Sequence, residues 1–238
     1  AWVSSSSSPV TSGWTVTYFP MPAAPGEVQR ILLMLSGKEW KDDRTPGSKW
    51  AALKPTSKYG QMPLLTNEDG TTLAQSRAIS RYLAKGVKVD GVALYPDDAW
   101  LAFQVDEFVD VLEDIRLLLL VPTFLIKDQQ EKEAARGALL ATDGSGKVFE
   151  ALKKMEVNIS STNGHMVGSK LTLADLWVFC TIQAFRSGFL DGVPRDGWLD
   201  ELPKLKACVE TVAAQPAIKA YYATKAPQTK VYANFASA

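Results

Sequence analysis

A few side chains in the first third of the chain have types and spacings suited to binding or catalysis. Tyr18 closes a β-branched and aromatic run, Trp14-Thr-Val-Thr-Tyr18-Phe19, just before Pro20. A phenol at the end of a strand is either a packed core aromatic or a donor for a developing anion. Trp50 and Lys54 stand four residues apart. One helical turn puts an indole N–H and an ammonium on one side, both donors only and suited to a carboxylate. The plain alternative is a core Trp and a surface Lys. Gln61-Met62-Pro63 opens a strand just after Gly60. A cis Met62–Pro63 bond turns the backbone N–H and C=O of Met62 outward, where a peptide-like ligand pairs by strand addition. A trans proline at a strand start is the alternative. Gln75-Ser76 opens a helix. A hydroxyl and free amides at a helix start bind a carboxylate, unless Ser76 simply caps the helix.

These residues need elements to hold them. Trp14–Phe19 reads as a strand. Val28, Ile31, Leu32 and Leu35 have i, i+3, i+4, i+7 spacing and predict a helix with one buried face, stopped at Gly37. Residues 38–45 suit a second strand. Met62–Thr66 and Thr71–Gln75 flank Asn67-Glu-Asp-Gly70 as a hairpin. Ser76–Lys85 places Ile79, Tyr82 and Leu83 on one helical face. Gly86, Gly91 and Pro96 mark a linker.

Beyond the linker the pattern is helical. Phe108, Val111, Leu112, Ile115, Leu118 and Leu119 form one stripe, and a short apolar run, Leu117–Val121, ends at Pro122. Residues 128–142 and 147–159 are helical in composition on either side of Asp143-Gly-Ser-Gly146. Leu173, Leu176, Trp177 and Cys180 form a further face, followed by helices at Pro203–Ala214 and Pro216–Thr224. Lys127–Arg136 reads as a solvated, charge-rich face. Thr172 and Asp175 form a capping-box pair, with Leu171 and Leu176 as a staple, so Asp175 is structural.

The resulting organisation has a tail at 1–13, an α/β unit at 14–86, a linker at 87–96, an all-α unit at 97–226 and a C-terminal tail at 227–238. The Ser-rich stretch 1–13 is a disordered tail, a trimmed targeting segment or an expression remnant.

Composition excludes several classes. The chain has 238 residues, is 46% hydrophobic, and carries 26 Lys+Arg against 26 Asp+Glu. Neutral charge argues against a nucleic-acid binder. Residues 14–88 hold eleven basic and six acidic residues, net +5, so the remainder is −5. A basic first third suits a small anionic ligand or is ordinary surface charge. One histidine, His165, and two cysteines, Cys180 and Cys208, leave no multi-histidine metal site, no Cys-rich zinc site and no disulfide framework. His165 reads as a loop residue and Cys180 as a core thiol, with Cys208 either the same or half-exposed. No apolar run is long enough to span a membrane.

The order and spacing of these motifs resemble the glutathione S-transferase family. The resemblance rests on Thr15-Val-Thr-Tyr18-Phe-Pro20, Tyr59-Gly-Gln61-Met-Pro63-Leu-Leu65, Gln75-Ser76-Arg77-Ala78-Ile79 and Lys170-Leu-Thr-Leu-Ala-Asp175, over about residues 14–226. Trp50-x-x-x-Lys54-Pro55-Thr56 and Gly-Gln-Met-Pro are most similar to the sigma class, which includes the haematopoietic prostaglandin D synthases. The resemblance implies a thioredoxin-like α/β domain followed by an all-helical domain. It implies a detoxifying transferase that uses glutathione as co-substrate and needs no metal. The partners it implies are a small hydrophobic electrophile and a second copy of the chain, with cytoplasmic location and organelle import left open.

By that resemblance Tyr18 holds the glutathione sulfur, and Trp50 and Lys54 take the glycine carboxylate with help from Gln61. Met62, preceding Pro63, pairs with the cysteinyl unit, and Gln75 and Ser76 take the γ-glutamyl carboxylate. Asp110 reaches the glutamyl ammonium from the partner subunit, and Tyr59 is either a packed loop aromatic or a plug at the dimer interface. Phe19, Met21, Arg116 and Leu120 are expected to wall the electrophile pocket. One departure stands out: the family often has an arginine after the tyrosine loop, where this chain reads Pro22-Ala-Ala-Pro-Gly26. Arg30, deeper in the helix, matches a structural position. The alternatives to a conjugating enzyme are a glutathione-dependent isomerase of the prostaglandin type, a peroxidase, and a non-catalytic glutathione carrier.

Overall fold

Strand β1 (Trp14–Tyr18) is the axis of the first domain, with Val16 fully buried and Trp14 and Tyr18 nearly so. Burial on both faces follows from its central place in a sheet of order β2-β1-β3-β4. The computed structural model describes residues 13–225 and 231–233. Strand β2 (Trp40–Arg44) runs parallel to β1, pairing Tyr18 with Arg44, whereas β3 (Leu64–Thr66) runs antiparallel on the other side. Strand β4 (Thr72–Ala74) completes the expected hairpin with β3.

Helix α1 (Gly26–Ser36) crosses between β1 and β2, the crossover that a parallel pair requires. Its Val28, Ile31 and Leu32 are fully buried. Gly37 ends it in the left-handed region at φ 66°, returning its N–H to the Met34 carbonyl. Helix α2 (Gly47–Leu53) carries Trp50 and leads into a short 3-10 turn at Lys54–Thr56. Helix α3 (Ser76–Lys85) starts and stops where its sequence pattern says. Ile79 and Leu83 are buried as expected, but Tyr82 is 55% exposed, and its ring meets Trp14 at 6.2 Å from the rim of the sheet.

Residues 87–96 are not a plain linker. They contain a two-stranded hairpin, β5 (Lys88–Val89) and β6 (Val92–Ala93). Its exit is pinned: Leu94 is fully buried, and its carbonyl accepts the Leu173 N–H at 2.7 Å.

The second domain is all helical. Helix α4 (Ala99–Phe124) is capped by Asp98, which accepts from Leu101 N–H at 2.9 Å. It runs through Pro122, past the end of its apolar run. Phe108, Leu112, Ile115 and Leu119 are buried, while Val111 is half-buried and Leu118 is exposed, so the inward stripe is narrower than the apolar stripe. Helices α5 (Gln129–Leu139), α6 (Lys147–Asn158), α7 (Leu173–Arg186), α8 (Pro203–Ala214) and α9 (Pro216–Lys225) follow. Helix α7 is the hub: every residue from Leu173 to Phe185 is buried, including Cys180, and it packs against α1, α3, α4 and α8. Cys208 is buried as well.

Across the domain junction Arg81 on α3 donates to Asp106 at 2.5 Å and to Asp110 at 2.9 Å, both on α4, and Tyr95 Oη donates to Asp106. The expected tail at residues 1–13 lies outside the described residues apart from Gly13. Most of 227–238 does too, but residues 231–233 are helical, and Tyr232 is buried with its ring 5.0 Å from the Arg44 guanidinium.

The start of α7 depends on one carboxylate. Asp175 Oδ2 accepts the Thr172 N–H at 2.6 Å and the Thr172 hydroxyl at 2.8 Å, and Oδ1 accepts the Met166 N–H at 2.6 Å. His165 Nδ1 lies 3.8 Å from the same carboxylate. This is the capping box with an added loop contact. Asp175→Ala leaves these buried donors unmatched and is expected to cost about 3 kcal/mol or more in urea unfolding, whereas Asp175→Asn keeps part of it. A loss below about 1 kcal/mol would show that the helix start does not depend on this group.

Candidate functional site

Tyr18 is held in place from behind. Its ring lies against the first residue of α1, where an added Cβ on Gly26 would fall 2.0 Å from Tyr18 Cδ1. Only a glycine admits the ring there. The loop after Tyr18 is tied down by Arg30, which is fully buried. Its Nη2 donates to the Phe19 carbonyl at 3.0 Å and its Nη1 to the Met21 carbonyl at 2.8 Å. Glu27 at 3.1 Å and Asp42 at 2.8 Å balance its charge. Burial works against that charge, but the two carboxylates outweigh it and raise the Arg30 pKa above its ordinary value. Arg30 therefore holds the loop together, as its sequence position suggested.

The Tyr18 pKa is raised above the ordinary phenol value. Burial is the main cause, and Glu113 adds to it, while Arg116 and Arg30 pull the other way. The hydroxyl therefore keeps its proton through neutral pH and is a donor.

Two clefts open near this loop, joined by Arg116, and Tyr18 is on the wall of only one of them. One is polar, about 250 Å³, lined by Pro25, Trp50, Gln61, Met62, Ser76 and Arg116 among others. Gly60, Pro63, Gln75 and Glu113 complete its wall. Gln75 Nε2 donates to Gln61 Oε1 at 3.0 Å, joining two of the expected residues. The Met62–Pro63 bond is cis, as is Ala24–Pro25 in the loop after Tyr18. Ser76 does not cap α3. It is the first helical residue, Gln75 precedes it at φ 75°, and no side chain caps this terminus. Lys54 is exposed and lies beside the cleft, its Cε 3.9 Å from where a Cβ on Gly60 would stand. Asp110 lies outside the cleft and is paired with Arg77 at 3.4 Å and Arg81 at 2.9 Å.

The other cleft is apolar, about 390 Å³, and lies between the domains. Tyr18 is on its wall, with Phe19, Met21, Arg116 and Leu120, the residues expected around an electrophile. Arg116 lines both clefts, its guanidinium held two-pronged by Glu113 at 2.7 and 2.8 Å.

Sequence reasoning missed much of this cavity. Phe124, Phe185, Phe189 and Leu190 build its apolar wall, and Lys132 and Arg136 bring charge to it. Lys127–Arg136 is thus not a wholly solvated face, because Arg136 is 8% exposed. The four-residue spacing of Lys132 and Arg136 was a usable signal, since it puts both on one side of α5. Among the described residues no group of three or more His, Cys, Asp or Glu is placed to hold a metal ion. No described helix is long and apolar enough to cross a membrane.

Comparison with known proteins agrees with this architecture. Residues 15–85 match the glutathione S-transferase N-terminal domain, and residues 114–225 match the glutathione S-transferase C-terminal domain. The chain is 34% identical over 216 residues to a probable glutathione S-transferase 7 of Caenorhabditis elegans, covering 89% of this chain and 96% of the relative. It is 31% identical over 221 residues to a hematopoietic prostaglandin D synthase of Gallus gallus, covering 92% of this chain and 98% of the relative. Among solved structures, a rat hPGDS in complex with a quinoline superposes with a TM-score of 0.72 at 28% identity, covering 91% of this chain and 98% of that one. A glutathione S-transferase from Ascaris lumbricoides superposes at 0.70 with 29% identity, covering 91% and 98%. With a thioredoxin-like sheet domain, an all-helical second domain and matches of this extent, the chain belongs to the glutathione S-transferase family.

Proposed function

We propose that this protein is a sigma-like glutathione transferase in which Tyr18 stabilises the glutathione thiolate for attack on hydrophobic electrophiles. The observation that carries the reading is a buried, neutral phenol on the wall of an apolar cavity, with Arg116 common to that cavity and the polar cleft beside it.

The polar cleft suits a peptide with two carboxylates. The uncapped start of α3, with Ser76 and Gln75, takes the γ-glutamyl carboxylate. Trp50 and Lys54, with Gln61, take the glycine carboxylate, and the Met62 backbone pairs with the cysteinyl unit. The partner subunit's Asp110 takes the ammonium.

Bound glutathione supplies a sulfur nucleophile. A free thiol has a pKa of ~8.5 and is mostly protonated at neutral pH. Lowering that value by ~2 units takes ~2.7 kcal/mol, and one hydrogen bond to a charged acceptor supplies ~1.5–3 kcal/mol. In this reading the Tyr18 O–H gives that bond, and burial supports it by keeping the proton on oxygen. Pro22–Gly26 carries no basic residue, and Arg116, held by Glu113, is the guanidinium that reaches both clefts from α4. With an aryl halide, a sulfur–carbon bond forms, the carbon–halogen bond breaks, and halide leaves with the bonding pair.

Resemblance to the prostaglandin D synthase of Gallus gallus favours a second reading, a glutathione-dependent isomerase that uses the same thiolate. We also propose a homodimer. Tyr59, Tyr82, Trp100 and Phe103 are each more than half exposed, and such aromatics favour burial against another copy.

Tyr18→Phe is expected to cut aryl halide conjugation more than tenfold and to raise the bound thiol's pKa by about 1–2 units. An unchanged titration of thiolate absorbance would remove Tyr18 from its role. Gly26→Ala forces the Tyr18 ring aside and should lower turnover by a similar factor while the protein still binds immobilised glutathione. Full turnover in that variant would show that ring placement tolerates the added methyl. Retention by wild-type protein without any turnover would favour the carrier. Sedimentation equilibrium is expected to return twice the chain mass, and a chain-mass species at micromolar concentration would oppose the dimer.

A further inference from the structure

Among the described residues Arg136 is a buried cation without an ion-pair partner. It is 8% exposed and lines the apolar cavity. Its Nε donates to Thr123 Oγ1 at 3.3 Å and its Nη1 to the Asp191 carbonyl at 3.2 Å. Both acceptors are neutral and both bonds are long. Among the described residues no carboxylate forms an ion pair with it. The contrast with the other cavity arginine is plain, since Arg116 is clasped by Glu113 at 2.7 Å.

A buried guanidinium without a counter-charge is costly unless something anionic joins it. The surroundings supply more positive charge. Lys132 lies one turn before Arg136 on the same helix and lines the same cavity. The lining holds three basic residues, Arg116, Lys132 and Arg136, and one acidic residue, Asp191. Asp191 Oδ2 accepts from Gln129 Nε2 at 3.1 Å, and Arg136 meets only the Asp191 backbone carbonyl, not its carboxylate. The remaining wall is largely apolar, with Leu120, Phe124, Phe185 and Leu190. An occupant with an apolar body and one anionic end would satisfy both parts of this lining.

We infer that the apolar cavity selects electrophiles that carry a carboxylate on an apolar chain, and that Arg136, assisted by Lys132, receives that carboxylate. That the occupant is an electrophile rests on the transferase reading above; that it is an anion rests on Arg136 alone. The guanidinium fork and the ammonium both donate, and charge-assisted bonds of this kind are short and strong.

The test compares decanoate with 1-decanol, which share a chain and differ in the charged end, by titration calorimetry on the full chain. Decanoate is expected to bind wild-type protein at least about tenfold more tightly than decanol. Arg136→Gln should weaken decanoate by about tenfold and leave decanol within about twofold, and Lys132→Gln should weaken decanoate by roughly threefold. Equal affinities of the two ligands for wild-type protein would overturn the inference, and that comparison needs no variant to fold. Equal weakening of both ligands in Arg136→Gln would overturn it too, by showing that Arg136 only packs the wall. Decanoate preference without aryl halide turnover would sink the transferase reading and leave the anion site standing. Turnover without that preference would do the reverse.

Discussion

The buried guanidinium of Arg30 is the interaction on which the rest of the site depends. It joins α1 to β2 through Asp42 and holds the carbonyls of Phe19 and Met21, so the chain leaving β1 has one path. Glu27 closes the cluster, and its other oxygen accepts the Tyr222 hydroxyl at 3.0 Å, which brings α9 into the same network. Buried charges of this kind are stable only as a complete set. Removing Arg30 would leave Glu27 buried and unpaired and would free the loop that aims Tyr18.

The second domain does more than cover the first. Helix α7 lies at the centre of the helical domain and also packs against α1 and α3, so the two domains share one continuous core. Helix α4 faces both clefts. From it Arg116 reaches the polar cleft and the apolar cavity at once, and Glu113 fixes the fork of that arginine. A cation absent from the loop after Tyr18 is thus available from a residue nearly a hundred positions later. The apolar cavity has the same composite origin, since β1 supplies Tyr18, α5 supplies Lys132 and Arg136, and α7 supplies Ala184 and Phe185.

Several features were legible because local chemistry decides them. The glycine that stops α1, the Thr172–Asp175 capping box, the hairpin around Asn67–Gly70 and the span of α3 all depend on residues close in sequence. The expected ligand contacts other than Tyr18, Lys54 and Asp110 cluster in the polar cleft, because strand ends and a helix start meet at one edge of the sheet. The hairpin at Lys88–Ala93 was not legible, because its strands are two residues each and it is held from outside, by the Leu94–Leu173 bond. Tyr82 and Leu118 lie within apolar stripes yet face outward, since periodicity gives a stripe and only packing sets its width.

By itself the sequence determined the α/β-then-all-α order, which follows from short-range patterns of apolar, glycine, proline and capping residues, and the motifs whose resemblance to a family named the expected ligand residues. Only the tertiary structure decided that Gly26 must be glycine for the Tyr18 ring to fit, that Arg116 stands between two clefts, and that Arg136 is buried with no ion pair among the described residues. Each of these depends on groups far apart in the chain being brought within a few ångströms. A pattern read along the chain registers what a residue is and what lies a turn away; whether a charge is solvated, paired or stranded is set by what folds on top of it.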